Sequence, residues 1–156
     1  MDKDIENKIV EGIKKHFGDK LVSIVLFGSQ ARGTANEYSD IDLLVIAKKI
    51  PSDWRKQDEV IREVRWSEGL SDLPISVILK SPYSVESILN TIQPLLFGIL
   101  KSYKILYDLE DFFEKQAKIY RKNMQDWKVA EIGDQVWEVG IIAENARRRI
   151  NRTANI

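Results

Sequence analysis

The sequence GSQARG at residues 28–33, followed by SDIDL at residues 39–43, decides the interpretation of this chain. An apolar run precedes the first stretch and predicts a buried β-strand, so Gly28 and Ser29 lie where that strand passes into a short helix. Backbone N–H groups have no partner at the start of a helix and favour an anion there. Gly28 would let a phosphate approach the backbone closely, Ser29 would add a hydroxyl donor, and Arg32 would add a positive charge. The first stretch therefore predicts a phosphate-binding turn.

The second stretch places two carboxylates on one side of a strand. Asp40 and Asp42 lie two residues apart at the start of a strand predicted over residues 40–47, and side chains alternate along a strand, so both point the same way. Two anions this close repel each other unless a cation lies between them. Magnesium commonly binds one or two carboxylates together with substrate phosphates. A phosphate-binding turn beside this pair predicts metal-assisted phosphoryl or nucleotidyl transfer.

The composition excludes several other classes of protein. A length of 156 residues favours one compact domain, or one small domain with an appendage. Lys+Arg and Asp+Glu both number 24, which excludes a strongly basic nucleic-acid-binding domain and leaves open only a local basic patch. The chain has no cysteine and one histidine, so disulfides, thiolate zinc sites and cysteine nucleophiles are excluded. Any metal must be held mainly by oxygen ligands.

Hydrophobic periodicity predicts an α/β (α+β) fold in which helices flank a small mixed β-sheet. Residues 1–108 are predicted to form the main domain, and residues 109–156 a C-terminal extension of two helices that breaks at Gly133 and Asp134. A break between helices is also expected near Pro94. The first domain is predicted to contain helices over residues 5–17 and 52–66, a helix capped by Ser84, strands over residues 21–27, 40–47 and 75–79, and an edge strand over 104–107. In the second of these helices, Trp54, Val60, Ile61 and Val64 are expected to face inward.

The two motif stretches together resemble the DNA polymerase β-like nucleotidyltransferase superfamily, and in particular its minimal, antitoxin-like members. The pattern of that family is Gly-Ser, a few residues, Arg-Gly, and then Ser-Asp-x-Asp before an apolar strand. The resemblance extends to about residue 108. The residues that match the pattern are Gly28, Ser29, Arg32, Gly33, Ser39, Asp40 and Asp42.

The resemblance implies a role for each matching residue. Asp40 and Asp42 would be the catalytic residues and the ligands of Mg²⁺. The nucleotide, ATP or another nucleoside triphosphate, would bind at Gly28, Ser29, Arg32, Gly33 and Ser39. Transfer of a nucleoside monophosphate, AMP in the case of ATP, to an acceptor hydroxyl is the implied reaction. Minimal members often pair with a helical HEPN-type toxin and can adenylylate its tyrosine, so a partner protein is the expected acceptor, ahead of an aminoglycoside or RNA.

The sequence departs from the family pattern at the third acid. That acid normally lies on the next long strand and activates the attacking hydroxyl, but Ser76 stands at the expected position. Asp72, four residues earlier, is an alternative that would reach the site from a loop. Positioned acid–base help typically contributes about 10²–10⁴-fold to a rate. A second function therefore stays open: a nucleotide-binding or antitoxin module with weakened or lost catalysis.

The remaining polar and aromatic features are given simpler interpretations. His16 is interpreted as a helix-end or surface residue, and Trp127 and Trp137 as packing residues of the C-terminal helices. The arginines at 147–149 and Arg152 form a basic cluster, interpreted either as a solvated helix end or as a contact to RNA or a partner. A homo-oligomer built on the C-terminal helices is a further hypothesis. Neither a signal peptide nor a membrane span is predicted, and a cytoplasmic location is expected.

Overall fold

The computed structural model describes residues 1–155 and contains a four-stranded mixed sheet in the order β3-β2-β1-β4. The central strand β1 pairs antiparallel with β2 and β4, and β2 pairs parallel with β3. The strands are β1 (Leu21–Phe27), β2 (Ile41–Ala47), β3 (Ile75–Lys80), β4 (Lys104–Asp108), β5 (Val129–Gly133) and β6 (Val136–Val139). The helices are α1 (Lys3–Phe17), α2 (Gly28–Arg32), α3 (Trp54–Arg65), α4 (Pro82–Ile88), α5 (Pro94–Lys101), α6 (Phe112–Asp126) and α7 (Gly140–Ala154).

Helices cover both faces of the sheet because both faces of β1 and β2 are apolar. Leu43 and Val45 on one face of β2 pack in a core with the buried side of α1. Leu44 and Ile46 on the other face pack in a second core with residues of α4, α5 and α6. Two-sided burial produces a continuous apolar run in these strands rather than an alternating pattern. The predicted fold class, a small mixed sheet flanked by helices, is confirmed.

Asp108, at the predicted domain boundary, connects the main sheet to helix α6 through hydrogen bonds. The Asp108 carboxylate accepts hydrogen bonds from the backbone N–H groups of Phe113 at 2.9 Å and Glu114 at 3.1 Å, at the start of α6. It also accepts a hydrogen bond from the buried Ser23 hydroxyl at 2.6 Å. Phe113 lies in the second core. Helix α6 therefore packs on the main sheet, and the division at residue 108 stays a prediction.

The C-terminal segment differs from the predicted pair of helices. Strands β5 and β6 form an antiparallel hairpin between α6 and α7, and Gly133 and Asp134 lie at its turn rather than at a break between helices. Gln135 has a φ of 54° in that turn. The prediction of two helices separated only by a break at Gly133 and Asp134 was wrong. Ile156, the last residue of the predicted extension, lies outside the described residues.

Two local predictions on the helices were also wrong. Trp54 is the first residue of α3 and is 65% exposed, so it does not face inward. Val64 is buried as predicted. The cap of α4 is Ser81, whose hydroxyl accepts the Ser84 backbone N–H at 3.0 Å, and not Ser84 itself. None of the helices within residues 1–155 has the length and apolar content needed to cross a membrane.

Candidate active site

Gly28 connects β1 to α2 and lies directly against Asp42. Its φ is 70°, in the left-handed region that favours glycine. Phe27, the residue before it, pairs with Asp42 across the antiparallel β1–β2 ladder. A Cβ atom at position 28 would overlap the Asp42 carboxylate. Backbone conformation and close approach both require glycine at this position.

The Asp42 carboxyl lies in a partly buried environment with a second acid and an arginine nearby. Burial raises the pKa of Asp42 above its ordinary value, and the Asp40 carboxylate raises it further, whereas the Arg32 guanidinium opposes both effects. Asp40 is exposed, one residue before β2 begins. The two carboxylates are therefore close enough to repel each other. A cation between them would relieve this repulsion.

A cavity of about 420 Å³ opens beside Asp42. Its volume lies within the range of small-molecule sites, which are commonly about 300–1,000 Å³. The polar part of its wall contains Gly28 and Arg32 of α2, Asp42 of β2 and Ser76 of β3. The rest of the wall comes from β1 and β3, from α5 and from the C-terminal hairpin: Phe27, Ile78, Pro94, Leu95, Gly98, Ile99, Gln135 and Trp137.

Ser76 lies beside Asp42, and Asp72 does not reach the cavity. Strands β2 and β3 are parallel, and their register pairs Asp42 with Ser76. Asp72 is exposed in the loop before β3 and is absent from the cavity wall. Within residues 1–155, no group of three or more His, Cys, Asp or Glu side chains could hold a metal ion. The described site offers two carboxylates and a serine hydroxyl.

Two carboxylates suit a magnesium ion that also binds substrate phosphates. Magnesium usually keeps several waters and takes only one or two protein carboxylates in such sites. The repulsion between Asp40 and Asp42, and the oxygen-only donors around them, fit this ion. Asp40 and Asp42 are the residues that would hold it.

Three predicted nucleotide-binding residues, Ser29, Gly33 and Ser39, are absent from the cavity wall. Ser29 lies in α2, and Gly33 is its left-handed C-cap, with a φ of 74°. The Ser39 hydroxyl accepts the Asn36 backbone N–H at 3.0 Å and so closes the turn before β2. This contact gives Ser39 a structural role in placing Asp40.

Gln135 and Trp137 of the hairpin line this cavity, and Trp137 lies in β6 rather than in the helix predicted for it. Gln135 and Trp137 lie about 100 residues after the motif, and the sequence carries no local signal that links them to it. An ion pair ties the hairpin to α5, with Lys101 Nζ 2.8 Å from Glu131. The hydrogen bond from Lys101, followed by that from the Gln135 N–H, holds the pKa of Glu131 below its usual value, and the Arg32 charge acts in the same direction. Glu131 of the hairpin therefore interacts electrostatically with Arg32 of the cavity wall.

The nucleotidyltransferase domain family matches residues 6–122, three quarters of the chain and both motif stretches. The chain belongs to this family. A protein of Methanocaldococcus jannaschii that is named as a putative protein adenylyltransferase is 39% identical to this nucleotidyltransferase over 144 residues. The match covers 83% of this chain and 95% of that protein. The family resemblance and the transferase class are both confirmed.

Two solved nucleotide-bound structures match this chain with a TM-score of 0.50. A toxin–antitoxin structure with AMP-PNP is 23% identical to this chain, with a TM-score of 0.50. The match covers 79% of this chain and 92% of the chain in that structure. Spectinomycin adenyltransferase AAD(9) of Enterococcus faecialis, solved with ATP and spectinomycin, has 16% identity and a TM-score of 0.50, and covers 79% of this chain and 65% of the other. At these identities, the similarity supports the nucleotidyltransferase fold.

Proposed function

We propose that this nucleotidyltransferase moves AMP from ATP to a hydroxyl group of a partner protein, with magnesium bound at Asp40 and Asp42. The observation that carries the proposal is the cavity in which Asp42, Arg32 and Gly28 lie together. The relative named as a protein adenylyltransferase supports a protein acceptor. The resemblance to minimal nucleotidyltransferases adds that the acceptor is a tyrosine of a helical HEPN-type partner.

Each residue has a defined task in this reaction. The Gly28 backbone and Ser29 would bind the terminal phosphates, with Arg32 balancing their charge. Magnesium would lower the barrier by stabilising the charge that develops on the phosphoryl oxygens. The acceptor oxygen forms a bond to the α-phosphorus while the bond to the bridging oxygen breaks. Pyrophosphate leaves, and the acceptor proton passes to solvent or to a nearby base.

Labelled ATP tests this proposal directly. The purified protein is incubated with magnesium and ATP labelled in the α-phosphate, with and without a helical partner protein. We expect label on the partner, and a loss of about 10²-fold or more in Asp42→Asn, because that change removes a metal-binding charge without changing side-chain shape. Asp72→Asn is the matched control, since Asp72 is exposed outside the cavity. Full transfer by Asp42→Asn would contradict the proposal.

A nucleotide-binding module without turnover is the second candidate, and Ser76 favours it. Ser76 lies opposite Asp42, where a third acid would complete the site. If the missing acid limits catalysis, Ser76→Asp should raise the transfer rate by more than tenfold, given the usual contribution of about 10²–10⁴-fold from a positioned base. Ser76→Asn introduces a side chain with the shape of aspartate but without its charge, and it should not raise the transfer rate. Transfer that is absent from wild type and restored only by Ser76→Asp would favour the module.

A further inference from the structure

The cavity beside Asp42 is lined by two chemically different groups of residues. Gly28, Arg32 and Asp42 provide charge and backbone polarity. Trp137 and the α5 residues Pro94 and Leu95 provide apolar surface, and Ser76 and Gln135 add further polar atoms. A small molecule with an anionic tail and a flat ring system would match these two groups of residues. A nucleoside triphosphate is such a molecule.

Aromatic packing holds the Trp137 ring at the cavity. The ring lies edge-on to Phe97, with 5.7 Å between the ring centroids. Phe97 is fully buried and packs against Tyr120, which in turn packs against Trp127. Trp137 itself is half-buried, so part of its surface is open to the cavity. A ring fixed from behind and open in front can bind a planar ligand with little loss of side-chain entropy.

Polar contacts hold the hairpin that carries Trp137. Lys101 of α5 forms an ion pair with Glu131 at 2.8 Å, and Glu131 accepts the Gln135 backbone N–H at 2.9 Å. The Gly140 N–H donates to the Lys128 carbonyl at 2.9 Å and closes the base of the hairpin. Gln135, at the turn, adds an amide to the cavity wall. An amide can both donate to and accept from the edge of a nucleobase.

We propose that the β5–β6 hairpin forms the nucleobase subsite of this enzyme, with Trp137 as the surface on which the base stacks. The inference rests on the proposed function, because the triphosphate must lie at Gly28 and Asp42 for the base to reach Trp137. Trp137 is assigned to the base rather than to the acceptor because base and phosphates belong to one molecule and the whole cavity is sized for a small molecule. The acceptor hydroxyl of the partner protein then reaches the α-phosphate from the open side of the cavity.

Comparison of ATP with inorganic tripolyphosphate tests the subsite. Both ligands carry the phosphate chain, and only ATP carries a base. In the presence of magnesium, the dissociation constants of both are measured by calorimetry for wild type, Trp137→Ala, Trp137→Phe and Asp42→Asn. Stacking on an aromatic ring typically contributes about five- to 150-fold to affinity. We expect Trp137→Ala to weaken ATP by a factor in this range and tripolyphosphate by less than twofold, whereas Asp42→Asn weakens both.

Trp137→Phe keeps an aromatic ring and so separates stacking from folding. Trp137→Phe should bind ATP within a few-fold of wild type. We expect ATP to quench tryptophan fluorescence in wild type and not in Trp137→Phe. The other three tryptophans, at positions 54, 66 and 127, do not line the cavity and are expected to contribute little quenching. Unchanged ATP affinity in Trp137→Ala would overturn the subsite alone. Equal weakening of both ligands by that variant would also overturn it. Binding of neither ligand by wild type would overturn the proposed function and the subsite together.

Discussion

At the scale of single residues, Gly28 is under two separate constraints. A side chain there would adopt a left-handed φ of 70°, which costs an L-residue about 1–2 kcal/mol. It would also press on the Asp42 carboxylate. We therefore expect Gly28→Ala to lose about 1–2 kcal/mol of unfolding free energy or more, and to lose ATP affinity as well. Urea denaturation and calorimetry measure the two effects.

Gly69 provides the matched control for this substitution. Its φ is 84°, and a Cβ at that position would have no neighbour within 4 Å. Gly69→Ala therefore carries backbone strain without the contact to Asp42. Its unfolding free energy should fall by a similar amount while ATP affinity stays at the wild-type level. Equal loss of affinity in both variants would show that general destabilisation, and not the contact with Asp42, weakens binding.

At the scale of elements, Tyr120 of α6 fixes the start of α5. Its hydroxyl donates to the Thr91 carbonyl at 2.8 Å and accepts the Gln93 backbone N–H at 3.0 Å, one residue before the cavity-lining Pro94. Burial raises the pKa of Tyr120 above its ordinary value, and the hydrogen bond from Gln93 only partly opposes this. The folded state therefore favours the neutral hydroxyl.

This shift predicts a loss of stability in alkaline solution. The unfolded pKa is about 10, so the contribution of Tyr120 is complete below about pH 10 and is lost as pH rises through the higher folded pKa. We expect Tyr120→Phe to be less stable than wild type at pH 8, by about 1–3 kcal/mol for the unpaired polar groups. Its further loss between pH 8 and pH 11 should be smaller than that of wild type. Denaturant titrations measure both quantities, and Tyr83→Phe, at a side chain that is 79% exposed, should behave as wild type.

Elements with a strong, local pattern could be predicted from the sequence, and the hairpin could not. The strand from Leu21 to Phe27 is a continuous apolar run, and α1 repeats an apolar residue every fourth position. The hairpin has strands of four and five residues with glutamates among them, and its turn at Gly133 and Asp134 resembles a helix break. A short hairpin is held by packing against distant residues, here Phe97, which periodicity does not report.

The candidate site likewise contains residues that could be predicted from the sequence and residues that could not. Asp42 and Gly28 could be paired from the motif, because consecutive strands of a sheet usually lie side by side. The position of Ser76 opposite Asp42 follows from the parallel register of β2 and β3, which the sequence suggests only through the family pattern. Trp137 reaches the cavity through a tertiary contact about 100 residues from the motif. Motif residues are local, whereas the rest of a pocket is assembled by packing.

At the scale of the whole molecule, most of α7 lies outside the packed body. Every residue from Asn145 to Asn155 is exposed, and the contacts of α7 with the body are concentrated in its first turns. The Gly140 and Ile141 N–H groups donate to the Lys128 and Trp127 carbonyls. Lys128 also pairs with Glu144 at 2.8 Å. The exposed part carries the predicted basic cluster at residues 147–149 and Arg152.

Two truncations separate these parts of α7. A chain that ends at Glu144 loses only exposed residues and one surface ion pair, between Arg147 and Glu138. Its unfolding free energy should stay within about 0.5–1 kcal/mol of the full chain, because exposed groups contribute little to stability. A chain that ends at Val139 also loses the hydrogen bonds that close the hairpin, and both its stability and its ATP affinity should fall further. Denaturation, calorimetry and mass in solution are measured on all three chains. Fewer chains per particle for the protein that ends at Glu144 than for the full chain would support a homo-oligomer built on α7. An equal number of chains per particle would assign the exposed arginines to another partner or to solvent.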